Sequence, residues 1–210
     1  MAKDMDIARQ IEGIILFIGI PSLEYFELLP LPKLLVLVLV AGYCGYQLWK
    51  DTEFGGGLFR KSGNHQISKT ILLRTVVIAP ALTGLVWVLP DLNLFSFPIE
   101  RPWLWMIVMV LYPLLSALPQ EFIYRTFFFN RYKEIFTLPH SDIIYSAAAF
   151  SFLHIVYDNW WAVGLSFLAG LLFGITYKRT ESLYWVALEH IIYGWLVFTL
   201  GLGPYFFEAF

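Results

Sequence analysis

Five ionisable side chains fall inside long apolar runs of this sequence: Glu121, Arg125, His154, Glu189 and His190. Such groups at membrane depth cost several kcal/mol, so each marks a candidate functional site. Their types allow a short menu of chemistry. A carboxylate and a neutral imidazole can share the proton of a water molecule, while a second imidazole N–H can donate to an oxygen that turns negative during acyl transfer. Glu121, His154 and His190 could instead hold zinc, since three N/O ligands leave a fourth position open to water. A proton relay would use the same histidines. Glu121 and Arg125 are four residues apart, so they share a helical face and can pair, which taken alone would only brace a bundle. His154 alone would be a core histidine with a backbone acceptor. Glu189 points about 100° around the helix from His190, so it serves a different contact, supporting the site or facing water. His65 and His140 read as loop residues.

The elements that must position these groups follow from composition. In 210 residues, 59% are hydrophobic, 14% are charged and mean hydropathy is +0.67. A chain of this size cannot bury so much apolar surface in a water-soluble core, whereas in lipid its helices can stay apolar all round. The fold class is therefore all-α, a polytopic membrane bundle of about seven to eight transmembrane helices in one integral-membrane domain over 1–210. Apolar runs near the crossing length of about 20 residues lie at 7–28, 32–49, 68–89, 103–133, 142–157, 160–178 and 182–201. Pro113 and Pro119 are expected to break the fourth, which would then count as two. Lys50 to Gln66, with Gly55, Gly56, Gly57 and Gly63, reads as one polar loop. Along these runs Glu121, His154 and His190 come to similar depths, about 20, 18 and 12 Å from their helix ends. They are expected to line one cavity.

Charge gives orientation. Alternating the passes from a cytoplasmic N-terminus puts eleven of the fourteen basic residues inside, among them Lys3, Arg9, Lys50, Arg74, Arg131 and Lys178, and only Lys33 and Arg101 outside. Trp87, Trp103, Trp105, Trp160, Trp161 and Tyr205 then fall near the outer interface. A net charge of -2 with no basic, aromatic-interleaved cluster excludes a nucleic-acid partner. Cys44 is the sole cysteine, so no intrachain disulfide can form. Small residues Gly164, Ala169, Gly170 and Gly174 allow close helix approach, either within the chain or at a homodimer seam.

The polar residues, in this order, resemble a known family. Pro119-Gln120-Glu121-Phe122-Ile123-Tyr124-Arg125 resembles the Glu-Glu-x-x-x-Arg motif of the CPBP family, the CAAX-processing and bacteriocin-processing intramembrane proteases, also called the Abi family. Phe150-Ser151-Phe152-Leu153-His154 matches its Phe-x-x-x-His motif, and Gly174 to Leu183 followed by Glu189-His190 resembles the approach to its third motif, a histidine followed four residues later by Asn or a small residue. That last position is Gly194. The resemblance implies a catalytic core at about 103–200, peptide hydrolysis without metal or other cofactor, and a protein or peptide substrate in the bilayer. It further implies His154 as partner in water activation, His190 as oxyanion donor and Arg125 as the residue orienting Glu121. Membership of this kind points to a multi-pass protein of a prokaryotic plasma membrane, N-terminus in the cytoplasm.

Two positions depart from the pattern. The first glutamate, to which the family assigns the base role, is Gln120, and an amide cannot take a proton at neutral pH. Three accounts fit: a glutamine introduced to silence the enzyme, a base role moved to Glu121, or a natural non-catalytic member that binds peptides. At Gly194 a side-chain donor beside His190 is missing. The leading reading is a glutamate-type intramembrane endopeptidase. The alternatives are a zinc-dependent protease, which lacks the His-Glu-x-x-His helix of that class, and a peptide-binding scaffold or transporter without catalysis.

Overall fold

The computed structural model describes residues 2–51, 54, 58 and 64–206. Gly55 to Gly57 and Gly63 of the predicted polar loop lie outside the described residues. Each apolar run forms a helix, because a backbone with no water to bond must bond to itself. Helix α1 runs through Ala2–Ile14, a π-helical turn at Ile15–Gly19, and Ile20–Tyr25. Helix α2 is Lys33–Lys50 and α3 is Asn64–Val88. A short α4 (Ser96–Glu100) precedes α5, a continuous rod over Pro102–Arg131. Then come α6 (Ser141–Leu153, ending in a 3-10 turn at His154–Tyr157), α7 (Trp160–Thr180) and α8 (Leu183–Leu200).

Helices α3, α5, α7 and α8 are long and apolar enough to cross a membrane, and α6 with its final turn is a shorter apolar helix. The molecule is a polytopic helical bundle with exposed apolar side chains along its length, among them Leu72, Val77, Val110 and Leu168. Trp87, Trp103 and Trp160 are among its most exposed residues, at helix ends where amphipathic rings are favoured. At its centre is α8, the most deeply buried of the four long apolar helices. Around it, Phe127, Phe150, Phe173 and Val186 form the middle of an aromatic core that reaches Phe17 of α1 and Cys44 of α2.

Two features differ from the sequence expectation. The fourth run does not break into two helices. Pro113 opens one π-helical turn (Pro113–Ala117), and Pro119 precedes another (Phe122–Phe127), so the wider turns absorb the prolines without a break. Pro113 has no N–H to give the carbonyl of Met109 one turn earlier, and the Trp195 indole of α8 donates to that carbonyl at 3.0 Å. The second difference is α4, too short to cross. Phe97 anchors it, almost fully buried and edge-on to Phe198 of α8. Nearby, α8 ends at Gly201, whose φ of 112° and whose missing Cβ, which would stand 2.3 Å from the Asn93 carbonyl oxygen, both require glycine. His65 lies in the first turn of α3 rather than in a loop.

Gly170 and Gly174 of α7 face α6 of the same chain. A Cβ at Gly170 would lie 3.0 Å from the Ala147 Cα, and one at Gly174 would lie 2.9 Å from Ile143. The Gly170 and Gly174 part of the small-residue stripe is thus filled within the chain, while a Cβ at Gly164 would meet nothing within 4 Å.

Candidate active site

Helix α5 carries Gln120, Glu121 and Arg125 in and beside the second π-helical turn, and they divide between two layers. Gln120 keeps 7% of its surface exposed, like His154 at 6% and His190 at 7%, whereas Glu121 and Arg125 keep none. The three partly exposed residues line a single cavity of about 700 Å³ between α5, α6, α7 and α8. Leu104, Ile107, Leu111, Leu165 and Val197 make most of its wall apolar, and Gly194, Tyr112 and Ser116 complete the polar end.

Each histidine has a fixed first nitrogen. His154 opens the 3-10 turn at the end of α6, and its Nδ1 lies 2.8 Å from the Phe150 carbonyl oxygen. A carbonyl can only accept, so Nδ1–H donates and Nε2 of the neutral ring carries the lone pair. The Nδ1–H of His190 donates to Glu121 Oε1 at 2.7 Å. Phe173 stacks on the His190 ring with centroids 4.7 Å apart, and Phe150 meets both histidines edge-on. These rings hold each imidazole against rotation.

Glu121 departs from the expectation that it lines the cavity. Its carboxylate stands behind His190, with Oε1 on that ring and Oε2 3.4 Å from Arg125 Nε. Arg125 is clamped in turn. Its guanidinium donates to Ser146 Oγ at 3.0 Å and to the carbonyls of Tyr124 and Gly170, and lies 5.0 Å from the Phe150 ring centroid. A side chain so committed joins α5, α6 and α7 and fixes where Glu121, and through it His190, can be. Among the described residues no group of three or more His, Cys, Asp or Glu is arranged to hold a metal ion. Since the Glu121 oxygens already serve His190 and Arg125, the trio with His154 does not form a zinc ligand set.

Glu189 has a definite place. Fully buried, it accepts from Arg74 at 2.8 Å, from the Thr176 hydroxyl at 2.5 Å and from the Tyr193 hydroxyl at 2.8 Å. It locks α3 and α7 to α8 and faces away from the cavity. Its partner Arg74, partly buried at the eleventh residue of α3, is one of the basic residues that the charge count puts on the cytoplasmic side.

Position 194 is not an empty donor site. A Cβ there would lie 2.3 Å from both the Cε1 and the hydroxyl oxygen of Tyr112. The glycine makes room for the tyrosine, whose ring meets that of His190, one turn earlier on α8, edge-on with centroids 5.9 Å apart. Sequence reading missed Tyr112 because a tyrosine in an apolar run resembles any core aromatic.

Residues 102–196 match the family described as type II CAAX prenyl endopeptidase Rce1-like, a stretch holding Tyr112, Gln120, Glu121, Arg125, His154, His190 and Gly194. No curated protein and no solved structure matches the chain.

Proposed function

With residues 102–196 matching the family described as type II CAAX prenyl endopeptidase Rce1-like, we propose that this protein is an intramembrane endopeptidase using a water held at His154 and Gln120. The family match supports a CAAX-type protease in the membrane. The finer mechanism rests on one observation: side chains from three helices, Gln120, His154 and His190, line one cavity, with Nδ1 of both histidines tied back.

In this mechanism, the Nε2 lone pair of His154 accepts a proton from the water as its oxygen attacks the scissile carbonyl carbon. The Gln120 amide oxygen can orient that water but cannot take its proton. The carbonyl oxygen, now negative, lies toward His190. An Nε2–H there requires an imidazolium, whose charge would sit against the Glu121 carboxylate, and the Tyr112 hydroxyl is the neighbouring neutral donor. Collapse breaks the C–N bond, and the proton passes from His154 to the leaving amine. Glu121 and Arg125 orient His190 and do not touch the substrate. The apolar wall of the cavity suits a membrane-embedded or lipid-modified segment. The excess of basic residues on one side supports a cytoplasmic N-terminus, and a prokaryotic plasma membrane is the proposed location.

The test is cleavage of a quenched, farnesylated CAAX peptide by the reconstituted chain. Gln120→Glu should raise the rate at least about a hundredfold, the low end of what a positioned base contributes, and His154→Ala should abolish the gain. A second reading, a peptide-binding member without catalysis, is favoured by Gln120 alone. It would be supported if Gln120→Glu bound the peptide and left it intact.

A further inference from the structure

A smaller cavity adjoins the large one. Its volume is about 60 Å³, and it is lined by Glu24, Lys33, Ser116, Gln120, His154 and Tyr157 with apolar neighbours from α1 and α2. All of those polar residues except Glu24 also line the large cavity. The Gln120 and His154 side chains therefore border both spaces, and the smaller has room for a few waters at about 10–15 Å³ each.

Glu24 is the unexplained group here. It is 91% buried, being 9% exposed, and its Oε1 has no hydrogen-bond partner among the described residues. A buried carboxylate oxygen without a donor is costly, and a water-sized cavity beside it is where a donor can reside. Glu24 and His154 line the same small cavity. The last part of α1, Ile20–Tyr25, packs on the His154–Tyr157 turn, Tyr25 donates to Asp158 at 3.3 Å, and Lys33 Nζ donates to the Val156 carbonyl at 3.1 Å. Lys33 is the cation acting on Glu24.

We propose that Glu24 is the carboxylate that serves the His154 water in this chain, approaching from α1 in place of the glutamate that position 120 lacks. The proposal rests on the endopeptidase reading above and adds a base outside the matched stretch. In this version the proton assigned above to His154 goes instead to the Glu24 carboxylate as the water oxygen bonds to the carbonyl carbon, while His154 Nε2 accepts a hydrogen bond from the water's other hydrogen and holds it in line. When the C–N bond breaks, Glu24 returns that proton to the leaving nitrogen and ends as a carboxylate. No other reactant is consumed.

Four reconstituted full-length chains test this on the quenched farnesylated CAAX peptide: the parent, Glu24→Gln, Gln120→Glu and the double variant. The parent should cleave slowly, Glu24→Gln should cut that rate at least about a hundredfold, and in the Gln120→Glu background the Glu24→Gln change should cost less than about threefold. Glu24→Asp withdraws the carboxylate by one methylene while keeping its charge, so it should fold and cleave more slowly than the parent, should Glu24→Gln fail to fold. If Gln120→Glu cleaves but the parent does not, or Glu24→Gln matches the parent, or the loss is equal in both backgrounds, Glu24 is not the base and the endopeptidase reading stands. If neither the parent nor Gln120→Glu cleaves, that reading fails and takes this one with it.

Discussion

Replacing Gly194 with alanine tests the geometry of the site without removing any polar group. The new Cβ would come within 2.3 Å of Tyr112 Cε1 and its hydroxyl oxygen and 2.4 Å of Cζ, whereas carbon contacts are comfortable from about 3.5 Å. The ring must therefore give way by more than about 1 Å. On one side Phe198 and His190 already meet it edge-on, with centroids 5.2 and 5.9 Å away, so it can move only into the cavity. Overpacking of this kind costs about 1–3 kcal/mol, and the open cavity favours the lower half of that range. Thermal unfolding in a mild detergent should show a drop of several degrees, since about 1 kcal/mol shifts the midpoint by 2–4 °C in chains of this length. Cleavage should fall more steeply, because the displaced ring blocks the approach to His190. In a Tyr112→Ala background the same Gly194→Ala change should be nearly neutral, a coupling within the range of 0.5–3 kcal/mol usual for touching residues. Gly194→Asn, which supplies the amide the family pattern allows, should impair the parent and be tolerated only with Tyr112 truncated. A Gly194→Ala cost within 0.5 kcal/mol of zero, or one unchanged by Tyr112→Ala, would refute the argument that the glycine exists to seat the tyrosine.

Arg74→Leu should destabilise the bundle by about 3–5 kcal/mol in detergent melts, because it leaves the buried Glu189 charge with hydroxyl donors only; adding Glu189→Leu should recover most of the loss. Gly170→Val should cost about 1–3 kcal/mol by the same measurement, since the backbone of Ala147 cannot yield to a side chain. A cysteine at position 55 should label from the cytoplasmic side and one at 160 from the outer side. Cys44 is fully buried and will contribute little background.

The helices were legible because apolar runs of crossing length are punctuated by Pro, Gly and charge. His154 and His190 were legible because lipid makes any ionisable group conspicuous, and Gln120 because it stands where the resembled motif has its first glutamate. What the residues could not convey was direction. Glu121 and Gln120 are neighbours, yet one faces the cavity and the other stands behind His190, and π-helical turns on either side of them alter the ordinary rotation along α5. Arg74 lies near enough to a run's end to pass for a cytoplasmic charge; only the packing of α3 on α8 shows that it neutralises Glu189. Glu24, close to the far end of α1, was not among the five groups that the apolar runs made conspicuous. Position 194 reads as a lost donor until the ring that occupies its space is seen.

The tie between Trp195 and the Met109 carbonyl bears on how the protein is made. These groups are 86 residues apart, so α5 leaves the ribosome long before its donor exists. A carbonyl short of donors in hydrocarbon is costly, and α5 enters the bilayer with the Met109 carbonyl lacking the ordinary donor that Pro113 cannot supply. Early in biogenesis that stretch will favour a wet or protein-shielded position over full contact with lipid. Docking of α8 supplies the indole and brings His190 to Glu121, so one late event both completes α5 as a membrane helix and assembles the site.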